Sequence, residues 1–122
     1  IWDELDQFAS NGKLLDEQPS VDEIKDRILY AQAIEAARTM EENIVSDPRE
    51  ADVGSILGWG FAPFTGGVLS FIDTVGAATF VERADQLKAK YGKPFEVPEL
   101  LREMAKKNDT FYARFSQEPA AA

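Results

Sequence analysis

The feature that most constrains the fold is the spacing of apolar residues, which recur every third or fourth position along most of the chain. That spacing places them on one face of an α-helix. No stretch of four or more residues alternates apolar and polar side chains as a half-buried strand does. Glycine and proline interrupt the pattern at intervals. The sequence therefore predicts an all-α domain of about five helices.

A capping box marks the start of the longest predicted helix. Ser20 is followed three residues later by Glu23, so each side chain can accept the free amide hydrogen of the other residue. The pattern predicts a helix from about Val21 to Val45. No charged residue occurs between Ile28 and Ile34, so we expect the helix to be buried nearly all round. Its small residues, which would let a second helix approach closely, are Ala31, Ala33, Ala36 and Ala37.

Start and stop signals divide the remaining chain into shorter helices. Asp47 and Pro48, with Glu50 at the box position, predict a second helix to about Leu57. An apolar stretch runs from the glycines Gly66 and Gly67 through Val75, and we expect Val68, Leu69, Phe71 and Ile72 to pack inward. We expect residues 73–76, which include Asp73 and Gly76, to form a turn. The fourth helix is predicted over Ala77 to Tyr91, ended by Gly92 and Pro94, and Pro98 opens a fifth.

The segment 58–67, GWGFAPFTGG, cannot be regular helix or a central strand. Its four glycines, Gly58, Gly60, Gly66 and Gly67, supply unusual backbone angles, and Pro63 lacks an amide donor. It is not a dinucleotide-binding loop, because the third glycine of a GxGxxG pattern would fall on Pro63 and no strand precedes it. We expect its aromatic residues to anchor the loop in the core, and the alternative is contact with a ligand or partner. These residues are Trp59, Phe61 and Phe64.

Composition excludes several classes of function. The chain has 22 acidic and 13 basic residues, a net charge of -9, and neither cysteine nor histidine. Such a charge repels phosphate backbones and anionic membrane surfaces, so we expect no nucleic-acid or membrane partner. Without cysteine or histidine the chain cannot carry a Ser-His-Asp triad, a Cys-His dyad, a zinc finger or a metalloprotease site. We predict no catalytic, cofactor-binding or metal-binding residue.

Carboxylates concentrate around the start of the second predicted helix. Two carboxylates with divergent pKa values could act as general acid and base, as in a small hydrolase. We favour capping roles, because acidic residues in a first turn are stabilised by the helix dipole, and no calcium-loop motif occurs. The carboxylates are Glu41, Glu42, Asp47, Glu50 and Asp52. We expect Arg27 and Arg38 to form ion pairs or carbonyl contacts at the margins of the long helix.

The organisation of the chain is that of one helical domain with short extensions. The uncharged run from Val53 to Ile72 is too rich in glycine to span a bilayer, so no membrane span is predicted. The first residues lack the positive charge of a signal peptide, and we predict a cytoplasmic location. We divide the chain into a connector at 1–19, a helical domain at 20–116 and a tail at 117–122.

The string DPREADVGSILGWGFAPFTGGVLSFIDTVG, at 47–76, resembles the C-terminal helical domain of 3-hydroxyacyl-CoA dehydrogenases. The likeness extends to RILYAQAIEAARTMEENIV before it and to FVERADQLKAKYGKPFEVPELLREMAKKNDTFY after it. It is strongest to the last domain of multifunctional fatty-acid β-oxidation proteins, whose alpha subunit joins enoyl-CoA hydratase to the dehydrogenase. Residues 1–8 resemble the connector that follows the preceding helical repeat. The resemblance implies a fragment of such an enzyme.

The same resemblance implies where the chemistry lies. In the family, a Rossmann domain upstream holds NAD and supplies the catalytic His and Glu, while the catalytic helical repeat supplies an Asn just before an Arg. Asp26 occupies that Asn position here, beside Arg27. An Asp cannot present the amide donor of an Asn, so the chain resembles the second, structural repeat. Asp109 and Thr110 also stand where many relatives of the catalytic repeat have a glycine.

Two hypotheses follow. The first is a structural domain that supports NAD-dependent oxidation of 3-hydroxyacyl-CoA to 3-ketoacyl-CoA, contacting the preceding repeat and the Rossmann domain, with a thiolase subunit as a partner of the parent. The isolated chain would then be inactive and would form a homodimer. The second is a free-standing helical interaction module without a catalytic role. The residues assigned structural or interface roles are Asp26, Arg27, Gly58, Trp59, Gly60, Phe61, Pro63, Phe64, Gly66, Gly67, Asp73 and Gly76.

Overall fold

The computed structural model describes residues 18–115, which form six α-helices and no strand. The prediction of an all-α fold is therefore confirmed for this part of the chain. The predicted tail at 117–122, residues 1–8 and all but the end of the predicted connector at 1–19 lie outside the described residues. The helices are α1 (Val21–Glu41), α2 (Pro48–Trp59), α3 (Val68–Val75), α4 (Ala77–Tyr91), α5 (Glu99–Lys107) and α6 (Phe111–Phe115), with short 3-10 turns at Pro63–Thr65 and Lys93–Phe95.

Side-chain caps begin the first two helices as predicted. The Ser20 hydroxyl accepts the amide hydrogen of Glu23 at 3.2 Å, and the Asp47 carboxylate accepts that of Arg49 at 2.9 Å. The prediction of the reciprocal contact, in which the Glu23 side chain would accept the Ser20 amide hydrogen, is wrong. The Glu23 carboxylate turns away from the helix start and accepts hydrogen bonds from the Lys90 ammonium group and the Tyr91 hydroxyl on α4.

The helix ends differ from the predicted ones by a few residues. The first helix ends at Glu41 rather than near Val45, because Asn43 takes a left-handed backbone conformation with φ of 55°. The second continues two residues past Leu57 to Trp59, where Gly60 ends it in the left-handed region. The predicted turn at 73–76 is wrong. Residues 73–75 complete α3, and the change of direction is confined to Gly76, with φ of 90°.

A sixth helix, which the sequence did not predict, closes the described part of the chain. It spans Phe111–Phe115, and the Phe111 ring is fully buried. Five residues are too few to show a helical period in the sequence. The helix owes its position to contacts with α3 and α2 rather than to its own pattern.

The third helix lies at the centre of the packing and contacts α1, α2, α4 and α6. Across this core the rings of Tyr30 and Phe80 stack with centroids 4.3 Å apart and planes 3° from parallel. Tyr30 is buried there, which raises the pKa of its hydroxyl to about 12. The fully buried large side chains are Ile34, Val68, Leu69, Ile72, Phe80, Leu87, Leu101, Met104 and Phe111.

The first helix is buried on one side only, which corrects the expectation of burial nearly all round. Ala33, Ile34 and Ala37 are fully buried, but 58% of Ile28 and 67% of Val21 are exposed. The uncharged stretch thus includes a face that no described residue covers. Among the helices of residues 18–115, none has the length and apolar character needed to cross a membrane.

Candidate functional site

The glycine-rich segment 58–67 includes the end of α2 and connects that helix to α3. Gly58 lies within the last turn of α2, which corrects the expectation that no part of this segment is helical. Gly60, Gly66 and Gly67 all have positive φ angles, of 75°, 85° and 122°. Pro63 opens the 3-10 turn between them. The prediction that the glycines let the backbone turn is confirmed.

The aromatic residues of this segment have three different environments. Phe61 is 2% exposed and packs against Phe71, so its prediction as a core anchor is confirmed. The same prediction is wrong for Trp59 and Phe64, which are 59% and 89% exposed. The last turn of α2 directs the Trp59 indole outward, where its N–H donates to the side-chain oxygen of Gln32 at 2.9 Å. Phe64 sits at the tip of the 3-10 turn.

A buried carboxylate holds this loop and the start of α3 together. Asp52 is 2% exposed and accepts the backbone amide hydrogens of Leu69 at 2.7 Å and Ser70 at 3.2 Å. It also accepts the hydroxyl hydrogens of Ser70 at 2.6 Å and Tyr112 at 2.8 Å. Asp52 thus caps α3 from a different helix. Fully buried Ser55 adds a second contact, since its hydroxyl accepts the Val68 amide hydrogen at 3.3 Å.

We refer to Asp52, Ser55, Ser70 and Tyr112 as the capping cluster. Burial raises the pKa of the Tyr112 hydroxyl above its ordinary value, and the hydrogen bond to the Asp52 carboxylate raises it further. Asp52 belongs to the carboxylates considered above as acid and base candidates. Here it has a structural role, because it accepts four donors and joins α2, α3 and α6.

Gly67 makes the capping cluster possible. A Cβ added at Gly67 would lie 2.4 Å from the Asp52 Cβ and 2.6 Å from its Cα, closer than two such atoms can approach. Any larger residue would push the carboxylate away from the helix start. This close approach, together with a φ of 122°, is the physical reason for glycine at this position.

Asp73 performs a similar task for the last helix. Its carboxylate accepts the amide hydrogens of Phe111 at 2.8 Å and Tyr112 at 3.2 Å, the first two residues of α6. Partial burial raises the pKa of the Asp73 carboxyl; the nearby Asp52 and Asp109 carboxylates raise it further, while the two amide donors lower it. Asp73 and Gly76 were predicted to be structural residues in a turn. Gly76 instead separates α3 from α4, where its amide donates to the Ile72 carbonyl.

Asp26 pairs with a cation of the neighbouring helix. Its carboxylate accepts a hydrogen bond from the Arg83 Nε at 2.8 Å, which joins α1 to α4. Arg27 was expected to form an ion pair or a carbonyl contact; its guanidinium instead stacks on Tyr91, 3.9 Å from the centroid of the ring. Lys90 and Tyr91 hold the Glu23 carboxylate nearby, and these hydrogen bonds lower the pKa of Glu23.

The remaining charged candidates do not converge on one site. Arg38 donates to the Glu35 carboxylate and to the Glu96 carbonyl, as expected for a margin of the long helix. Glu41 accepts the Leu100 amide hydrogen at 2.8 Å, and Asp47 pairs with Arg49. Within residues 18–115 no group of three His, Cys, Asp or Glu residues is arranged to hold a metal ion.

An apolar groove of about 700 Å³ lies between α1 and α2. Its walls are mainly small residues, and the exposed Trp59 ring forms one edge. The polar side chains Gln32, Glu35 and Glu50 also line it. We call this cavity the apolar groove. Its lining residues are Ala31, Gln32, Glu35, Ala36, Thr39, Val45, Glu50, Ala51, Gly54, Gly58 and Trp59.

The sequence had singled out two of the groove residues, Ala31 and Ala36, as small residues that would let a second helix approach, but it had not indicated the groove or the capping cluster. Asp52 closely follows Arg49 and Glu50, so its sequence surroundings do not distinguish it from the other carboxylates near the start of α2. Its partners are 17 to 60 residues further along the chain.

Comparison with known proteins finds several relatives that share one name. A fatty acid oxidation complex subunit alpha of Acinetobacter baylyi is 46% identical over 90 residues, which cover 74% of this chain and 12% of the relative. Proteins of the same name from Shewanella amazonensis and Shewanella halifaxensis are 42% identical over 90 residues and 37% identical over 114. The last match covers 90% of this chain and 16% of the relative. No family model matches the chain. The chain thus spans 12 to 16% of the length of these relatives.

Proposed function

The chain belongs to the family of fatty acid oxidation complex alpha subunits, as a homologue of one segment of them, and from that premise we propose that it is a structural helical domain. In this proposal it supports NAD-dependent oxidation of 3-hydroxyacyl-CoA to 3-ketoacyl-CoA in a parent multienzyme. The catalytic groups and NAD lie in other domains of that parent. The chain itself contributes a rigid helical support for the acyl-CoA cleft.

The observation that carries this proposal is the ion pair between Asp26 and Arg83. The resemblance assigns the position of Asp26 to an Asn in the catalytic repeat. Here the side chain is a carboxylate, and one of its oxygens accepts a hydrogen bond from Arg83 of the neighbouring helix α4. The absence of histidine from the sequence points the same way, because the family's catalytic base is a histidine.

The exposed part of the loop supplies a surface for the rest of the parent. Phe64 of the loop is 89% exposed, and Leu57 and Val53, one turn apart on α2, are 80% and 56% exposed. Large exposed apolar side chains are typical of interaction sites. We propose that this loop surface packs against the preceding helical repeat, with the Rossmann domain beyond it. In the isolated chain the same surface would pair two copies in a homodimer. A thiolase subunit would be a partner of the whole parent.

The same surface also suits the second candidate, a free-standing helical interaction module. The two candidates differ in what the chain does inside an enzyme. A structural domain restores activity when it replaces its homologue, whereas an interaction module binds partners and restores no activity.

A segment exchange tests the proposal. In the Shewanella halifaxensis relative, the segment covered by the 114-residue match is replaced by that of this chain, and oxidation of 3-hydroxyacyl-CoA is followed by NADH absorbance. We expect activity within about threefold of the unmodified protein, since a support without catalytic groups leaves the barrier almost unchanged. Deletion of the segment is the negative control. A folded chimera with no activity would contradict the supporting role.

A single substitution tests the assignment of Asp26. In the chimera, Asp26→Asn should alter turnover little, because the residue acts within the helical domain. Asp22→Asn, at an exposed position of the same helix, is the matched control. Loss of about a hundredfold or more with Asp26→Asn alone would place this helix against the substrate, as expected for a positioned catalytic group. The isolated chain should show no NADH formation.

A further inference from the structure

We propose that residues 1–8 of this chain occupy the apolar groove between α1 and α2. Ile1, Leu5 and Phe8 would insert between the two helices, and the segment would run back along α1. The proposal concerns a different face of α2 from the loop surface of the proposed function. It therefore stands or falls separately from that function.

The groove is built to receive large side chains. Ala36 on α1 and Ala51, Gly54 and Gly58 on α2 form walls that project little or nothing into the space between them. A Cβ added at Gly54 or Gly58 would meet no atom within 4 Å. Apolar walls of this kind gain stability only when apolar atoms fill the space, because water there forms few hydrogen bonds.

The segment 1–8, IWDELDQF, has the matching pattern. Ile1, Leu5 and Phe8 follow the i, i+4, i+7 spacing by which an amphipathic helix anchors itself in an apolar groove. Asp3 and Asp6 fall on the opposite face of such a helix, where they would stay in water. Asp3 and Asp6 are thus kept away from the Glu35 and Glu50 carboxylates that line the groove. Glu4 falls at the edge of the inserted face, where its long side chain can reach water.

The connection is long enough. Residues 9–17 lie between the segment and the described chain, and nine residues span roughly 30 Å when extended. From Ser20 to Glu35, midway along the groove, α1 rises by about 22 Å at 1.5 Å per residue. The segment can thus reach the groove without displacing α1.

The tether favours this segment over a second copy of the chain. A tether of nine residues gives an effective concentration on the order of millimolar, which a separate molecule reaches only in a concentrated solution. A second copy also brings a net charge of -9 against another charge of -9. The segment adds only the charges already present in its own chain.

Nuclear magnetic resonance of the complete 122-residue chain, with labelled Ala and Leu methyl groups, tests the proposal. We expect cross-peaks between the Leu5 methyls and those of Ala36 and Ala51, unchanged on tenfold dilution. Hydrogen exchange of the amides at 5–8 should be slowed at least about tenfold relative to a free peptide.

A blocking variant gives the matched comparison. Gly54→Leu places a side chain in the groove at a position where an added Cβ meets no atom within 4 Å, whereas Val53→Leu enlarges an exposed residue that does not line the groove. Only Gly54→Leu should abolish the cross-peaks and restore fast exchange at 5–8, with helix content unchanged. Absence of cross-peaks in the unmodified chain would overturn the proposal. Cross-peaks that appear only between differently labelled molecules would overturn it in favour of a second copy.

Discussion

Replacing Asp52 by alanine should remove the contact that fixes α3 and α6 on α2. The carboxylate is 2% exposed and accepts hydrogen bonds from two backbone amides, of Leu69 and Ser70. It also accepts the hydroxyl hydrogens of Ser70 and Tyr112. In Asp52→Ala all four donors lose this acceptor at once.

The expected loss follows from the environment of each donor. Removing a helix cap costs about 1 to 2 kcal/mol of unfolding free energy. A buried donor left without an acceptor costs about 1 to 3 kcal/mol, and the Leu69 amide is buried while the Tyr112 hydroxyl can turn toward water. We expect Asp52→Ala to lower the free energy of unfolding by about 3 to 5 kcal/mol, since these contributions overlap. Asp52→Asn keeps one acceptor oxygen and should cost about 1 to 2 kcal/mol.

Urea unfolding at pH 7, followed by far-ultraviolet circular dichroism, measures these values. Glu82→Ala, which removes an exposed carboxylate from α4, is the control and should change stability by less than about 0.5 kcal/mol. A cycle with Tyr112→Phe should give a coupling of about 0.5 to 1.5 kcal/mol with Asp52. A loss below about 1 kcal/mol for Asp52→Ala, with an unchanged m value, would refute this account of the capping cluster.

Three further substitution sets test the loop and the last helix. In urea unfolding, Phe61→Ala should lower the free energy of unfolding by about 3 to 5 kcal/mol, whereas Phe64→Ala should lower it by less than about 0.5 kcal/mol. Similar losses for the two variants would contradict the difference in their burial. In thermal unfolding, Gly67→Ala should lower the free energy of unfolding by more than about 3 kcal/mol, because the added Cβ meets Asp52 of the capping cluster. Gly58→Ala, at a helical position where an added Cβ meets no atom, should be neutral or stabilising by up to about 1 kcal/mol. Asp73 has a raised pKa when folded, so its contribution to stability is largest at acid pH and is lost as pH rises through that pKa. Carboxyls with lowered pKa values make the protein less stable as the pH falls from 6 to 3, and Asp73 partly offsets that loss. Asp73→Asn should therefore make the urea midpoint fall more steeply over this range. An unchanged or shallower slope would contradict the raised pKa of Asp73.

Several features of the fold were predictable because their causes lie within a few residues. The capping side chains of Ser20 and Asp47 accept amide hydrogens from residues two or three positions later. Both partners of each contact can therefore be seen within a short stretch of the sequence. The fourth helix was predicted with its observed bounds, Ala77–Tyr91, since an uninterrupted apolar period ends at Gly92. The all-α class follows from the same local periodicity.

The features of the candidate site depend on partners that are distant in the sequence. Asp52 reads locally as one more acidic residue in a helix, yet its amide and hydroxyl donors come from α3 and α6. The last helix is capped by Asp73, whose carboxylate accepts the amide hydrogen of Phe111, 38 residues further along the chain. No local pattern records either pairing.

Burial of the loop aromatics shows the same division. The sequence by itself determined that segment 58–67 turns sharply, because glycine and proline restrict the backbone wherever they occur. It could not determine that Phe61 enters the core while Trp59 and Phe64 stay exposed. Those three rings have equal reason to be buried, and only the directions that α2 and the 3-10 turn give their side chains decide which one meets the core. Local chemistry therefore determined where the helices begin and turn, whereas tertiary packing decided which residues they bring together.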